Sequence, residues 1–218
     1  MTSRSRLTRA LLRGGVTAGP AFLATALTAG ALRKDYRQLR HPVSSLALGP
    51  GGRVQVTNFL VTGGLYLGDA IGLARSAGAH RESKAVPMLI GSAAVGLIGA
   101  GVFVTDPISG YPPGTPDQLP ENTRTGWLHD IFSMPTFLGL PAAAAVEAGH
   151  AWRRGDRVWA GYSAGSAAVS LIMFVLATAG FAQQPRLVDR AGLNQRIAVG
   201  TVFGWLTALA FRRLQAVR

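Results

Sequence analysis

Residues able to do acid–base, nucleophilic or metal chemistry are sparse in this chain, and two stretches gather several of them close together. The first, HPVSSLALGPGGRVQVTNF, holds His41, Ser44, Ser45 and Asn58; the second, FVTDPISGYPPGTPDQLPENTRTGWLHD, holds Asp106, Tyr111, His129 and Asp130. In a hydrolytic site, Ser44 or Ser45 would be nucleophile or oxyanion donor, His41 or His129 the base, and Asp106 the group that orients it. The same set read as ligands gives His41, Asp106 and His129 around a divalent metal, the cofactor open to this chain. Asn58, Tyr111 and Asp130 are candidate binding residues. A plainer reading stands beside these: an Asp-Pro pair caps a turn, a serine pair caps a helix, and an interfacial histidine needs no task. No HExxH, GxSxG or phosphate-loop pattern is present.

The elements that must position these residues are membrane-spanning helices. Charged residues make up 15% of the 218 and hydrophobic ones 48%, with 28 glycines, whereas about a quarter of a soluble domain is charged. A span needs about 20 mainly apolar residues to cross about 30 Å of hydrocarbon. Six segments qualify: 15–32, 54–74, 85–104, 127–152, 158–181 and 197–211. The expected fold is therefore all-α, one compact six-helix bundle domain over 1–218. The basic start MTSRSRLTRALLRGG precedes an apolar run too long for a signal peptide, so it reads as a retained first span. Ala and Gly rather than Leu dominate the spans, which keeps the mean hydropathy at +0.26.

Small residues recur every fourth position, at Gly15/Gly19, Gly64/Gly68/Gly72, Ser92/Gly96/Ala100, Gly161/Gly165 and Gly200/Gly204. Such stripes let helix backbones approach closely, and because several spans share them they are expected to pack the bundle rather than a dimer, favouring a monomer. Pro135 and Pro141 should bend the fourth span. Trp127, Trp152 and Trp159 near span ends read as interfacial anchors, while Trp205 lies within span six.

Basic residues flank the spans unevenly: Arg4 to Arg13, Arg75 to Lys84, Arg153 to Arg157 and Arg212 to Arg218 outweigh those on the other side. This bias places both termini in the cytoplasm of a cell membrane and loops 33–53, 105–126 and 182–196 outside. The net charge of +12 is scattered between apolar runs, with no basic face interleaved with aromatics, so membrane lipids rather than nucleic acid are the expected partners. No cysteine is present, which excludes disulfides, thiol catalysis and thiolate metal sites. The first outer stretch, too apolar for a free loop, should lie at the interface over the bundle mouth, and the proline-rich second should form a stiff lid. His41, Ser44, Ser45, Asn58, Asp106, His129 and Asp130 would then gather at one level, with Asp106 facing His129 or His41. Two further acids, Asp69 and Glu147, lie toward the inner side, where ion pairs with Arg75 and Arg153–Arg154 would account for them and a proton or cation path is the alternative. His80 and His150 are assigned no role.

The stretches HPVSSLALGPGGRVQVTNFLVTGG, GVFVTDP, GYPPGTP and TGWLHD resemble the bacterial and archaeal membrane proteins grouped as domain of unknown function 998. The resemblance covers nearly the whole chain and implies a polytopic helical membrane protein without a settled activity. It also implies an acidic residue where Ser45 stands and an aromatic where Arg53 stands, which makes Ser44 the firmer family position. Three function classes follow from the residues: a membrane protein with a polar outer-face pocket for a lipid or amphiphile, a membrane hydrolase, and a small transporter. The absence of an inverted repeat or paired broken helices weighs against transport.

Overall fold

The computed structural model describes residues 3–77 and 84–217, with side chains from residue 5 onward. His80, Arg81 and Arg218, and the side chain of Arg4, lie outside the described residues. Six helices run α1 (Ser3–Leu32), α2 (Gly52–Ala77), α3 (Ala85–Val102), α4 (Arg124–Arg153), α5 (Arg157–Phe181) and α6 (Ala191–Ala216). Each packs on its neighbour in sequence, and α6 returns to α1, so the six close into a ring. Large side chains fill the middle, among them Trp205, Phe203, Tyr66, Leu140 and Leu206. Among the described residues there is no β-strand, only an isolated bridge between Ile108 and Tyr111.

Five of these helices are long and apolar enough to cross a membrane, and α2 is the exception. Its 26 residues would reach about 39 Å, so length is not what it lacks. What lowers its hydropathy is a row of polar residues, Gln55, Asn58, Thr62 and Asp69, and all four are buried in the bundle. A helix flanked on both sides by α1 and α3 shows less of itself to lipid, so polarity can be carried on its inner face.

The helix ends follow local chemistry. Thr123 caps α4 by accepting from the Gly126 amide at 3.0 Å, and Asp156 caps α5 by accepting from the Trp159 amide at 3.1 Å. The fourth span departs from a regular helix at its first proline: Pro135–Gly139 forms one wide π turn in which the Leu140 amide reaches the Pro135 carbonyl. α6 begins at Ala191, well before the expected residue 197, because the side chains of Gln195 and Arg196 bond inward to the first outer stretch instead of to water.

The glycine stripes divide. A methyl on Gly99 would come within 2.2 Å of the Phe132 ring, one on Gly96 within 2.4 Å of the Phe132 carbonyl, and one on Gly63 within 2.7 Å of Ile98. Gly15, Gly19, Gly68 and Gly72 likewise face neighbours, but Gly64, Gly161, Gly165 and Gly204 meet nothing within 4 Å. The expectation that every stripe packs the bundle is corrected for these four, since spacing marks a smooth face without saying which way it turns.

One end of the ring carries the three connections expected outside. Val43–Ala47 forms a 3-10 turn with Val43, Ser45 and Leu46 buried over the bundle mouth. Arg40 ties all three connections together, donating to Asp117 at 2.9 Å, Asp189 at 3.0 Å and the Ser109 carbonyl at 3.3 Å. At the other end Arg9 on α1 donates to the Val217 carbonyl after α6 at 2.9 Å, so the beginning and end of the bundle lie side by side.

Candidate functional site

The second outer segment docks on the first through Tyr111. Its ring is 3% exposed and packs 5.2 Å from Tyr36 and 5.1 Å from His41, centroid to centroid. Its hydroxyl accepts from Arg33 at 2.9 Å, while the same guanidinium donates to the Leu48 and Leu46 carbonyls of the first segment. The binding candidate Tyr111 is therefore the peg by which the lid is seated.

His41 sits in that plug, not in an open site. Its Nδ1 accepts from the Arg37 amide at 2.9 Å, which fixes the tautomer, with Nε2 as the protonated nitrogen of the neutral ring. Burial first, then the Arg40 guanidinium, pushes its pKa down to about 4, against a weaker opposing pull from the Ser109 carbonyl. Arg196 holds the same plug: it donates to the His41 and Gly192 carbonyls and to the Tyr36 hydroxyl. An arginine in the first turns of an apolar helix was the available signal.

Asp106 faces neither histidine, which corrects the expected pairing. One carboxylate oxygen accepts from the Thr123 amide at 2.8 Å and the other from the Thr123 hydroxyl at 2.6 Å. It lies against Gly126, where an added methyl would be 2.1 Å from a carboxylate oxygen. A carboxylate here supports the N-cap of α4 and complements the positive end of the helix dipole. His41, Asp106 and His129 thus point to different partners and do not fit one shared metal. Among the described residues no three His, Cys, Asp or Glu side chains converge on a point.

His129 lies deeper, on the first turns of α4, and is 3% exposed. Its Nδ1 meets the Ala100 carbonyl at 3.0 Å and the Phe103 carbonyl at 2.8 Å, both at the end of α3. Carbonyls only accept, so Nδ1 carries the proton and Nε2 of the neutral ring is left as an acceptor. The ring borders a cavity of about 40 Å³ under the plug, which also touches Ser44, Ser133, Thr136 and Gln195 among apolar residues from α1, α2, α3 and α6. That volume holds about three waters. Thr136 on the π turn is 4% exposed with its hydroxyl unpartnered among the described residues. Gln195 accepts from the Val43 amide at 2.8 Å and so fastens the 3-10 turn above. Ser133 and Thr136 carry no motif as isolated polar residues within a span, and Gln195 lies in what reads as the connection before the last span.

Of the serine pair, Ser44 borders the cavity, whereas Ser45 is fully buried with its hydroxyl unpartnered among the described residues. Asn58 ties α2 to α1 by donating to the Phe22 carbonyl at 3.1 Å. Asp130 is exposed on the outer surface of α4 and does not reach the cavity. The structure thus brings Ser44 and His129 to one space, sends His41, Asp106, Asn58 and Tyr111 to other tasks, and leaves Asp130 on the surface.

A second apolar opening of about 190 Å³ lies between α1 and α6 and shares Phe22, Val43 and Val199 with the cavity. Leu23, Ala26, Leu27 and Gly200 form its sides, and Arg196 stands at its outer end.

The two inner acids part company. Glu147 is 3% exposed and accepts from Arg154 at 2.9 Å and from the Trp159 indole at 3.1 Å, with Arg213 at 3.8 Å. The ion-pair expectation holds for it, with Arg154 as the main partner. Asp69 has no such partner: it is fully buried and both carboxyl oxygens are unpartnered among the described residues, while Arg75 turns to Thr8 at 3.2 Å.

No curated protein and no solved structure matches this chain. A family model does: residues 16–212, nearly the full length, match it, and the chain belongs to the family described as protein of unknown function DUF998.

Proposed function

We propose that the protein binds a lipid or amphiphile from one leaflet, taking the chain of the molecule between α1 and α6 toward the cavity beneath the plug. The observation that carries this reading is the adjacency of the two spaces: an apolar opening between two helices lies next to a cavity bordered by Ser44, His129 and Gln195, with Phe22, Val43 and Val199 lining both. An apolar passage leading to a few fixed polar groups is the usual make-up of a small-molecule site. Arg196 at the outer end supplies a cation at the depth of a headgroup. The membrane is taken to be the cell membrane with both termini cytoplasmic, supported by the basic bias of the connections.

The test is native mass spectrometry of protein purified in mild detergent and then exposed to vesicles of the host's lipids. Wild type should retain a lipid. Gly200→Leu should lose it at least tenfold, since the open face of Gly200, with Leu23 at 3.9 Å, would be filled without a clash. Retention of no lipid by wild type, or equal retention by the variant, defeats the proposal.

A second reading, lipid hydrolysis, has one observation in its favour: Ser44 and His129 border one cavity, and His129 is held by carbonyls with Nε2 left to accept a proton. Ser44→Ala that still retains lipid but no longer yields cleaved product would move the assignment to this class. Absence of product from wild type leaves binding alone.

A further inference from the structure

Beyond Phe203, which lines the cavity and packs against Tyr66, α1, α2 and α6 meet around Asp69 and Tyr66. A methyl at Gly15 of α1 would lie 2.2 Å from the carboxyl carbon and 2.3 Å from one carboxyl oxygen, so Asp69 is pressed against bare backbone. One turn along α1, a methyl at Gly19 would lie 2.9 Å from the Tyr66 hydroxyl and 3.1 Å from the Thr207 hydroxyl. Tyr66 precedes Asp69 by one turn of α2 and shares its face. Both carboxyl oxygens of Asp69, the Tyr66 hydroxyl and the Thr207 hydroxyl are buried and unpartnered among the described residues.

The charged groups on the surrounding helices are directed elsewhere. On α1, Arg9 donates to the Val217 carbonyl and Arg13 is exposed. On α2, Arg75 donates to Thr8; on α6, Arg212 pairs with Asp156 at 2.6 Å and Arg213 lies 3.8 Å from Glu147. α3 contains no ionisable residue. A bare carboxylate with neither a donor nor a counter-charge is not stable among helices in hydrocarbon, so its charge must be neutralised on the spot. The carboxyl is packed too closely against Gly15 to leave space for a larger ion on that side, and a proton adds no volume.

We propose that Asp69 is a buried proton-binding site, with Tyr66 and Thr207 as its polar surroundings, and that release of the proton requires α1 to separate from α2. The geometry links the two events, because ionised Asp69 can be stabilised only if water or a cation reaches it, and Gly15 closes that approach. Gly15 and Gly19 then do more than smooth a packing face: they allow α1 to seal the site.

The test uses the full chain in liposomes, read by infrared spectroscopy across a pH series. Wild type at neutral pH should show the carbonyl band of a protonated carboxyl in a dry setting, Asp69→Asn should lack it, and Tyr66→Phe should keep the band but shift its frequency. Spin labels at Thr17→Cys and Ile71→Cys, both on exposed faces, should move apart over the same pH range in which the band disappears. The Asp69 assignment is overturned if wild type lacks the band at neutral pH, if Asp69→Asn retains it, or if the band appears only when sodium is withdrawn, which would make sodium the occupant. A band that titrates while the label distance stays fixed overturns the coupling. Should Asp69→Asn fail to fold, the wild-type titration and the Tyr66→Phe shift decide the matter by themselves.

Discussion

His41 shows how far a residue's role can move from the one its type suggests. Its chemistry invites use as a base, yet the ring packs in a three-ring cluster with Tyr36 and Tyr111, its Nδ1 engaged by backbone, and its pKa is lowered to about 4. A histidine depressed from its ordinary value of 6.5 binds fewer protons folded than unfolded between those two values. Stability is therefore fully present above about pH 6.5 and declines as pH falls toward 4, by up to about 3 kcal/mol for this one group. Thermal unfolding in detergent should show that acid decline in wild type, and His41→Phe should flatten it, because an aromatic ring of similar girth keeps the stack and cannot titrate. An unchanged acid limb in the variant would assign the decline to other groups. Asp106 teaches the same lesson from the acid side: its two oxygens serve the Thr123 cap, so the catalytic constellation reduces to Ser44 and His129.

At the scale of elements, the helix pairings are selective in a way the glycine spacing conceals. α3 and α4 approach through Gly96 and Gly99 against Phe132, where even a methyl would collide. Gly99→Ala should destabilise the protein by about 1–3 kcal/mol, the usual cost of overpacking. Gly161→Ala, on a face of α5 that meets nothing within 4 Å, should be neutral or stabilising by up to about 1 kcal/mol, since alanine is the better helix former. Unfolding midpoints of the two variants against wild type check both signs at once, and a loss in Gly161→Ala would reveal a neighbour for α5 outside this chain. The π turn of α4 belongs to the same scale. Two prolines six residues apart remove amides that a regular helix needs, the backbone widens by one residue, and Thr136 is carried to the cavity wall.

For the whole molecule, polarity is arranged along the bundle as a plug, a small cavity edged by a few polar side chains, and a buried acid. Arg40, Arg33 and Arg196 lock the plug with backbone carbonyls and carboxylates from three connections, so that end is built to stay closed. The opposite end gathers Arg154, Arg212 and Arg213 around Glu147 and Asp156. With the connection bearing Gln118 at the plug end and the turn at Gly155 at the other, reporter domains fused after Gln118 and after Gly155 should fall on opposite sides of the membrane, the second in the cytoplasm. Both on one side would mean that α4 does not span.

Much of this was legible without coordinates, for definite physical reasons. Hydrocarbon thickness sets the length of an apolar run, so the spans could be read as far as Ala85–Val102 and Arg157–Phe181 almost to the residue. Proline chemistry pointed to the place where α4 departs from a regular helix, and the apolar character of Val43–Ala47 foretold that it would lie against the bundle. The helical polarity of α2 was the difficult case, because composition averages both faces of a helix while burial depends on which face has neighbours. Direction is what only the tertiary structure could decide. Whether Asp106 turns to a histidine or to Thr123, whether Asp69 finds an arginine as Glu147 does, and whether a glycine stripe meets a helix or open space all depend on rotation of one helix against another. Those rotations are settled by packing summed over the whole ring, and no local stretch of the chain encodes them.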